Sequence, residues 1–335
     1  MSLVPSTPSF ASLLQDFFCQ RLMTQRNVSA RTVASYRDTF RLLLGYAEIR
    51  LKKCAVSLAM ADLDAPFVLA FLDHLENERG NSVRTRNARL AAIRSFLHYA
   101  AHQDPASLPI IGRVLAIPTK RFDQRVLGFL SRGEVEALLA APDRSTWSGH
   151  RDQVMFTTLY NTGARVSEVI GLRRTDVEFD GARCVHIQGK GRKQRVVPLW
   201  SSTIARIKEW IARMEQGPEA PLFPNRDGRP LSRSGVEKRL RLAVAEAARV
   251  CPSLMGRRIS PHTLRHTTAM HLLQSGVDMT VIALWLGHET PATTHLYVEA
   301  DLTMKEQALR RVAEPPTRRL RYQAKDRLLA FLDRL

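Results

Sequence analysis

The chain has 335 residues, 44% of them hydrophobic, which is long enough for two domains and apolar enough to exclude wholesale disorder. Lys and Arg number 50 against 32 Asp and Glu, so the formal net charge is +18. This excess is unusual for a metabolic enzyme and favours a polyanionic partner, most simply nucleic acid, although charge alone also fits a merely basic protein.

The four cysteines, Cys19, Cys54, Cys184 and Cys251, are far apart in the chain and form no Cys-x-x-Cys pair. This spacing fits neither a disulfide framework nor a zinc site, so we interpret them as reduced, structural residues. The N-terminus lacks a signal-peptide pattern, and no apolar run approaches the roughly 18 residues of a membrane span. We therefore expect a cytoplasmic, nucleoid-associated protein with no membrane partner.

Apolar periodicity predicts a small all-α unit of four or five helices within residues 1–104. The first helix covers residues 10–24, the second opens at Ser29, the third covers residues 65–78, and the fourth begins near Ser82. The apolar residues of each helix recur at three- and four-residue spacing, which gives each helix one face to bury. The pattern therefore indicates a helical bundle for the first domain.

The fourth helix and its entry carry arginines, and no acidic residue occurs between Glu78 and Asp104. A basic run without compensating acids is typical of a surface that faces phosphates or a DNA groove, although a solvated helix face shows the same pattern. The basic charge of the whole chain favours the first interpretation. We predict DNA contacts from Arg79, Arg84, Arg86, Arg89 and Arg94.

Residues 105–129 are predicted to be an interdomain linker, because Pro109 and two further prolines disfavour a continuous helix there. The exit of this segment is basic, which adds Lys120 and Arg121 to the predicted DNA contacts.

The second domain, residues 130–314, opens with a capping-box pattern at Ser131 and is predicted to be mostly helical. One strand pair is expected over residues 184–188 and 195–199, joined by a basic glycine turn. The predicted fold class is therefore mainly α, with a helical first domain and a mixed α/β second domain that contains a small β-hairpin.

Two glycine-containing turns of the second domain present a cation. Arg165 stands at the start of a helix, where its charge opposes the helix dipole unless an anion is present, although an ion pair with Glu168 explains it equally well. Lys190 stands between two glycines at the hairpin tip, followed by the basic residues Arg192 and Lys193, which are also candidates for DNA contact. The tip lacks the spacing and the Ser or Thr of a P-loop, so we exclude a nucleotide site there.

Two further segments carry histidines. His262 and His266 have the i,i+4 spacing of metal ligands, but Arg265 lies between them and the glutamate of H-E-x-x-H is missing. We therefore predict no metal and interpret the cluster as suited to an anionic phosphate. His288 follows a glycine, and Tyr297 comes nine residues later, where packing is the ordinary role for a single tyrosine.

Taken together, the order and spacing of these residues resemble the tyrosine recombinase (phage integrase) pattern Arg…Lys…His-x-x-Arg…His…Tyr. The surrounding segments TGARVSEVIGL, GKGRKQRVVPL, SPHTLRHTTAMHLLQSG and LGHETPATTHLY are similar as well, over roughly residues 130–300. The resemblance implies a SAM-like core-binding domain followed by a catalytic domain. The residues it implies are Arg165, Lys190, His262, Arg265, His288 and the nucleophile Tyr297, with Glu168 and His266 in supporting positions.

The resemblance also implies a reaction: double-stranded DNA is cleaved and rejoined through a 3′-phosphotyrosyl intermediate, with no metal or ATP as cofactor. Members of the family enclose the duplex in a C-shaped clamp and work as tetramers on two duplexes. The compact, Xer-like layout favours a recombinase of a mobile element, with a housekeeping chromosome-dimer resolvase as the alternative. A type IB topoisomerase and a catalytically silent DNA-binding protein are the rivals from other classes. Whether a second recombinase or a directionality factor is a partner stays an open question at this point.

The tail, residues 315–335, begins with two prolines and is predicted to form a helix with one apolar stripe. We expect the stripe to dock into a neighbouring protomer, as C-terminal segments do in related recombinases. Docking on the chain's own catalytic domain is the alternative. The stripe consists of Leu320, Ala324, Leu328, Phe331 and Leu335.

Overall fold

The computed structural model describes residues 8–122, 128–189, 193–214 and 217–288. The chain divides into two compact units, Met1–Arg125 and Val126–Leu335. The predicted site residues Lys190, Arg192 and Tyr297 lie outside the described residues, and so does the predicted tail helix. Within the described part of the chain, no helix combines the length and the apolar character needed to cross a membrane.

The first unit is a helical bundle whose core is rich in aromatic rings. Phe17 packs against Phe40 and Phe96 with ring centroids 6.4 and 5.6 Å away, which joins three segments of the chain. Ser29 and Ser82 cap their helices by accepting hydrogen bonds from backbone amides, as the sequence predicted. The helices are α1 (Phe10–Asp16), which continues as a π-helical segment (Phe17–Gln25), α2 (Ala30–Leu51), α3 (Ala65–Asn77), α4 (Val83–Gln103) and α5 (Leu108–Leu115).

Helix α5 corrects the predicted linker. It lies within the segment 105–129, and its residues Ile111 and Val114 are buried in the core of the first unit. Pro109 occupies the first turn of α5, where a missing amide hydrogen costs nothing because the first amides of a helix have no partner within it. The segment therefore contributes to the first domain before any linker begins.

The described part of the second unit packs seven helices against a small sheet. Its central helices, α7 (Trp147–Thr162) and α11 (Pro261–Gln274), are buried over most of their length, so their polar residues line the interior. The other helices are α6 (Arg132–Ala140), α8 (Val166–Ile170), α9 (Ser201–Ala212), α10 (Arg233–Val250) and α12 (Met279–Leu286). The mostly helical fold with a small sheet confirms the predicted fold class.

The sheet has three antiparallel strands in the order β1-β2-β3, namely β1 (Val177–Glu178), β2 (Cys184–Gln188) and β3 (Gln194–Pro198). The pair β2–β3 is the predicted hairpin, with His186 opposite Val196. Strand β1 was not predicted, because two residues are too few for an alternating pattern to show. Val185 and Ile187 face the core, which fixes the register of the hairpin that carries the turn at 189–193.

Candidate active site

The turn between α7 and α8 positions Arg165. Gly163 ends α7 with a positive φ of 58°, and a Cβ there would lie only 2.4 Å from the Leu286 side chain. Arg165 then caps α8, and its backbone amide donates to the Glu168 carboxylate at 2.8 Å. The glycine therefore allows α7 and α12 to approach and leaves Arg165 at the start of a helix, as predicted.

The start of α11 positions His262 and Arg265. Ser260 caps the helix and Pro261 occupies its first position, which places exposed His262 in the first turn. The Arg265 side chain is only 3% exposed and donates to the carbonyl oxygens of Gly163 at 2.7 Å and Leu286 at 2.8 Å. Arg265 therefore joins the ends of three helices.

His266, predicted to support the site, is buried on the same helix. Its ring packs edge-on against Phe129, with centroids 6.4 Å apart. This contact fixes the start of the second unit against α11.

Helix α12 ends in the turn that carries His288. Gly287 adopts a positive φ of 67°, and the His288 amide donates to the carbonyl oxygen of Ala283 at 2.9 Å. The Gly287 carbonyl oxygen accepts from Arg165 Nη2 at 3.2 Å. The turn therefore places His288 directly beside Arg165.

Glu168 holds two arginines at this site. Its side chain is 3% exposed, and its two oxygens accept from Arg165 Nη1 at 2.8 Å and Arg195 Nη2 at 2.7 Å. Burial opposes ionisation of Glu168, but the hydrogen bonds from Arg195 and Arg165 outweigh it and hold the pKa of the carboxyl below its usual range. Glu168 is therefore a carboxylate that orients Arg165.

Arg195 is the site residue that sequence analysis missed. It lies on β3, 27 residues after Glu168, and also donates from Nε to the carbonyl oxygen of Trp285 at 2.9 Å. The only signal in the sequence was its place in GKGRKQRVVPL, where it looked like one more basic residue of a basic hairpin.

Both histidines are surrounded by arginines. Burial, then the charges of Arg265 and Arg165, lower the pKa of His288 from its ordinary 6.5 to about 4. Partial burial and the same two charges also lower the pKa of His262, whose side chain still reaches solvent. Both rings are therefore neutral near pH 7 and able to donate one hydrogen bond each, while the site keeps a net positive charge that favours an anion.

We expect a bound phosphate to raise the pKa of His288. In NMR titrations, its ring resonances should titrate near pH 4 without DNA and at higher pH in a complex of Tyr297→Phe protein with a duplex that carries the cleavage site. The reason is that a nearby anion stabilises the imidazolium. A duplex with a neutral methylphosphonate at the cleaved position is the control and should leave the pKa low. If the pKa of His288 is the same with both duplexes, His288 does not lie near the phosphate.

The predicted DNA contacts of the first unit fall into two groups. Arg86 is 2% exposed and donates to the Pro118 carbonyl oxygen at 3.2 Å. Arg89 donates to Ser35 and Thr39 of α2, and Arg94 donates to the carbonyl oxygens of Leu115, the last residue of α5, and Ile117. These three guanidinium groups form hydrogen bonds within the domain, which favours a structural role for them, and their contact with DNA stays a prediction. Their partners are main-chain carbonyl oxygens together with the side chains of Thr39 and Asn87, and the Glu76 carboxylate lies 3.8 Å from Arg86.

The other predicted contacts remain at the surface. Arg84 is exposed, and its guanidinium lies 5.4 Å from the ring centroid of Phe122. Lys120 forms a 2.6 Å ion pair with Glu76, which reduces its availability to phosphate. Arg79, Arg121 and Lys193 are exposed, so they and Arg84 stay as candidates for DNA contact.

Arg84→Ala and Arg86→Ala should therefore have different effects. Arg84→Ala should weaken DNA binding, and a lost phosphate contact should lower the slope of log Kobs against log salt by about 1. Arg86→Ala should instead lower the free energy of unfolding by about 1–3 kcal/mol, because the hydrogen bond from the buried, charged Arg86 guanidinium to the Pro118 carbonyl oxygen is lost. Salt-dependent binding and urea unfolding of both variants measure this. A reversed pattern would contradict the assignment.

One other group of potential ligands stands out among the described residues. Glu178, Cys184 and His186 bring an oxygen, a sulfur and a nitrogen within 4.8 Å of one another on one face of the sheet. The groups already interact, since the Cys184 thiol donates to Glu178 at 3.4 Å and His186 lies 3.6 Å from the same carboxylate oxygen. The cysteine spacing did not predict this cluster. It is separate from the arginines and histidines described above.

The comparisons with known proteins agree with this geometry. The model of the phage integrase family matches residues 128–304. The model of the phage integrase N-terminal SAM-like domain matches residues 16–104. The protein belongs to the phage integrase family, and it is a site-specific DNA recombinase of the tyrosine type.

Two curated relatives align with most of the chain. The integrase/recombinase y4rC of Sinorhizobium fredii is 50% identical over 327 residues, which is 98% of either chain. Tyrosine recombinase XerC of Pelobacter propionicus is 33% identical and covers 85% of this chain and 90% of its own.

Among solved structures, the Tn1549 transposon integrase in complex with a circular intermediate DNA has the same fold. Its TM-score is 0.69 at 17% identity, over 90% of this chain and 99% of that one. XerH recombinase bound to its palindromic difH substrate gives 0.65 at 22% identity, over 85% and 80%.

Proposed function

We propose that the protein cleaves one DNA strand at a time with Tyr297 as nucleophile, and that Arg165, His262, Arg265 and His288 bind the scissile phosphate. The convergence of these four side chains from α8, α11 and the end of α12 carries the proposal. Burial and the neighbouring arginines lower the pKa of both histidines, so the net positive charge of the site comes from its arginines. Such a site suits the charge that develops on a phosphodiester during displacement.

The chemistry follows from these residue types. The Tyr297 oxygen attacks the phosphorus while its proton passes to the neutral His262 ring, and the bond to the 5′-oxygen breaks. The arginines stabilise charge on the non-bridging oxygens, and the neutral histidines donate hydrogen bonds to them. The leaving 5′-oxygen takes a proton, for which Lys190 is the proposed general acid. Attack by a 5′-hydroxyl of another duplex reverses the step and joins the strands, so the bond energy is conserved without ATP.

The test is formation of a covalent protein–DNA adduct. Nicked duplexes made from the DNA that flanks the gene should give a denaturation-resistant adduct in the presence of EDTA, because cationic side chains occupy the role of metal ions. An absolute requirement for magnesium in cleavage would contradict the proposed chemistry. Relaxation of a plasmid with no recombination site would favour a type IB topoisomerase activity instead.

We further propose that the protein serves a mobile element and acts on DNA in the cytoplasm. The support is the 50% identity to a relative named integrase/recombinase, against 33% to XerC. The XerC similarity favours a chromosome-dimer resolvase as the second candidate. Inverted repeats or neighbouring recombinase genes in the flanking DNA would support the first role. Recombination at a single chromosomal site near the replication terminus would support the second.

The proposed assembly is a tetramer on two duplexes, held in part by the tail. Deleting residues 317–335, which removes the predicted apolar stripe, should leave binding of a single protomer nearly intact and impair cooperative assembly and strand exchange. Gel-shift and recombination assays measure the two effects. A truncated protein that assembles and recombines normally would contradict the proposal, and one that fails to fold would indicate docking on its own domain.

A further inference from the structure

Three arginines hold three successive carbonyl oxygens at the end of α12. The Trp285 oxygen accepts from Arg195, the Leu286 oxygen from Arg265, and the Gly287 oxygen from Arg165. The last carbonyls of a helix have no partner within it, and cations near its C-terminus complement its dipole. The turn that carries His288 is thus fixed by guanidinium groups from three different elements.

Arg195 differs from the other two arginines because it is not one of the six residues of the catalytic pattern and because its side chain is largely covered. Its side chain is 11% exposed, against 36% for Arg165. It lies on β3, donates to Glu168 of α8 and donates to the end of α12. Arg195 therefore links three elements of the site while presenting little surface to DNA.

The hairpin also packs against Arg195. A Cβ added at Gly189, next to Lys190, would lie 3.6 Å from Arg195 Nη1 and 3.6 Å from Glu168 Oε1. The Gly189 amide donates to the Lys193 carbonyl oxygen at 2.7 Å, which closes the base of the turn. On the opposite side, a Cβ at Gly287 would lie 3.0 Å from the same Nη1. Arg195 thus fills the space between the hairpin base and the His288 turn.

We propose that Arg195 is a positioning residue, which fixes the hairpin base, the Glu168–Arg165 pair and the His288 turn in one reactive arrangement. This role rests on the recombinase chemistry proposed above. It assigns to one buried side chain the coupling between the hairpin that carries Lys190 and the phosphate-binding arginines.

Electrostatics agree with the geometry. The hydrogen bond from Arg195 is the strongest of the influences that lower the pKa of Glu168 against the opposing effect of burial. Arg195 also helps to lower the pKa of His288, after burial and the charges of Arg265 and Arg165. Removal of Arg195 should therefore loosen Arg165 and raise the pKa of His288.

The experiment compares Arg195→Ala, Arg195→Lys and a matched control, Arg257→Ala. Arg257 makes the same kinds of contact as Arg195, to the Glu134 carboxylate at 2.7 Å and the Phe129 carbonyl oxygen at 3.0 Å. Rates of adduct formation are measured with saturating nicked duplex, at a temperature where circular dichroism shows every variant folded. Duplex Kd and the pH profile of cleavage are measured on the same samples.

We expect Arg195→Ala to slow adduct formation up to about 100-fold without weakening DNA binding, because a misplacement of about 1 Å at a reactive group can cost that much. The acidic limb of the pH profile of cleavage should lie at higher pH in Arg195→Ala than in the wild type, because His288 then binds a proton more readily. Arg195→Lys should restore part of the rate. Arg257→Ala should lose a similar amount of stability but keep the wild-type rate and pH profile.

If Arg195→Ala and Arg257→Ala share one rate and one pH profile, Arg195 is merely structural and the inference is overturned. If wild-type protein forms no adduct, the proposed function fails instead. The NMR titration of His288 then decides the positioning role, and an unchanged His288 pKa in Arg195→Ala overturns it.

Discussion

Tyr297→Phe is expected to abolish covalent attachment to DNA while leaving DNA binding intact. The change removes one oxygen and little packing volume, so the affinity set by phosphate contacts elsewhere should persist. Without that oxygen, no bond to phosphorus forms, and the loss should be complete rather than partial. A nicked suicide substrate followed by denaturing electrophoresis measures the adduct, and a gel shift measures binding.

The matched control for this experiment is Tyr322→Phe, the same change in the predicted tail, which should still form the adduct. A covalent band that persists in Tyr297→Phe and disappears in Tyr322→Phe would move the nucleophile to the tail. Loss of both binding and attachment in Tyr297→Phe would indicate misfolding, which circular dichroism detects.

The sequence predicted the starts of several helices because the signals are local. Three helices are capped by a serine whose side-chain oxygen accepts a hydrogen bond from the backbone amide three residues later. These serines are Ser29, Ser82 and Ser131. The hairpin β2–β3 was predicted for a similar reason, since alternation and a glycine turn lie within one short segment. Features that depend on neighbours in the sequence could therefore be predicted from the sequence.

Features that depend on contacts between residues far apart in the sequence could not be predicted. Arg86 shares a helical face with Leu90, Ile93 and Leu97, all buried, so its position in that stripe was the one available signal of burial. Its partner, the Pro118 carbonyl, lies 32 residues away and has no signature in the sequence. The charge count therefore suggested DNA contact where the structure uses the arginine to join α4 to the segment after α5.

The candidate site shows the same division. The spacing of Arg165 and Glu168 predicted their contact, because residues three apart are neighbours on a helix turn. The contact between Arg195 and the Trp285 carbonyl spans 90 residues and depends on where β3 meets the end of α12. The resemblance supplied the residues proposed to contact the scissile phosphate, and the structure was needed to find Arg195, the residue proposed to orient them.

The second large effect is expected for Arg265→Lys. Arg265 is buried and reaches two carbonyl oxygens, those of Gly163 and Leu286, through different nitrogens of one planar group. A lysine keeps the charge but offers a single compact ammonium, which cannot hold both carbonyls and present a donor toward phosphate at once. We expect adduct formation to fall by about 10²–10³ or more, as when one donor to a developing oxyanion is removed.

DNA affinity should change little in Arg265→Lys, because most phosphate contacts lie elsewhere along the duplex. The control is Arg257→Lys, the same substitution at an arginine that also donates to a carbonyl oxygen, that of Phe129, and it should cleave at the wild-type rate. Single-turnover adduct formation at saturating duplex separates the two variants. Wild-type cleavage by Arg265→Lys would show that charge alone suffices at this position, and the geometric argument for the guanidinium would then fail.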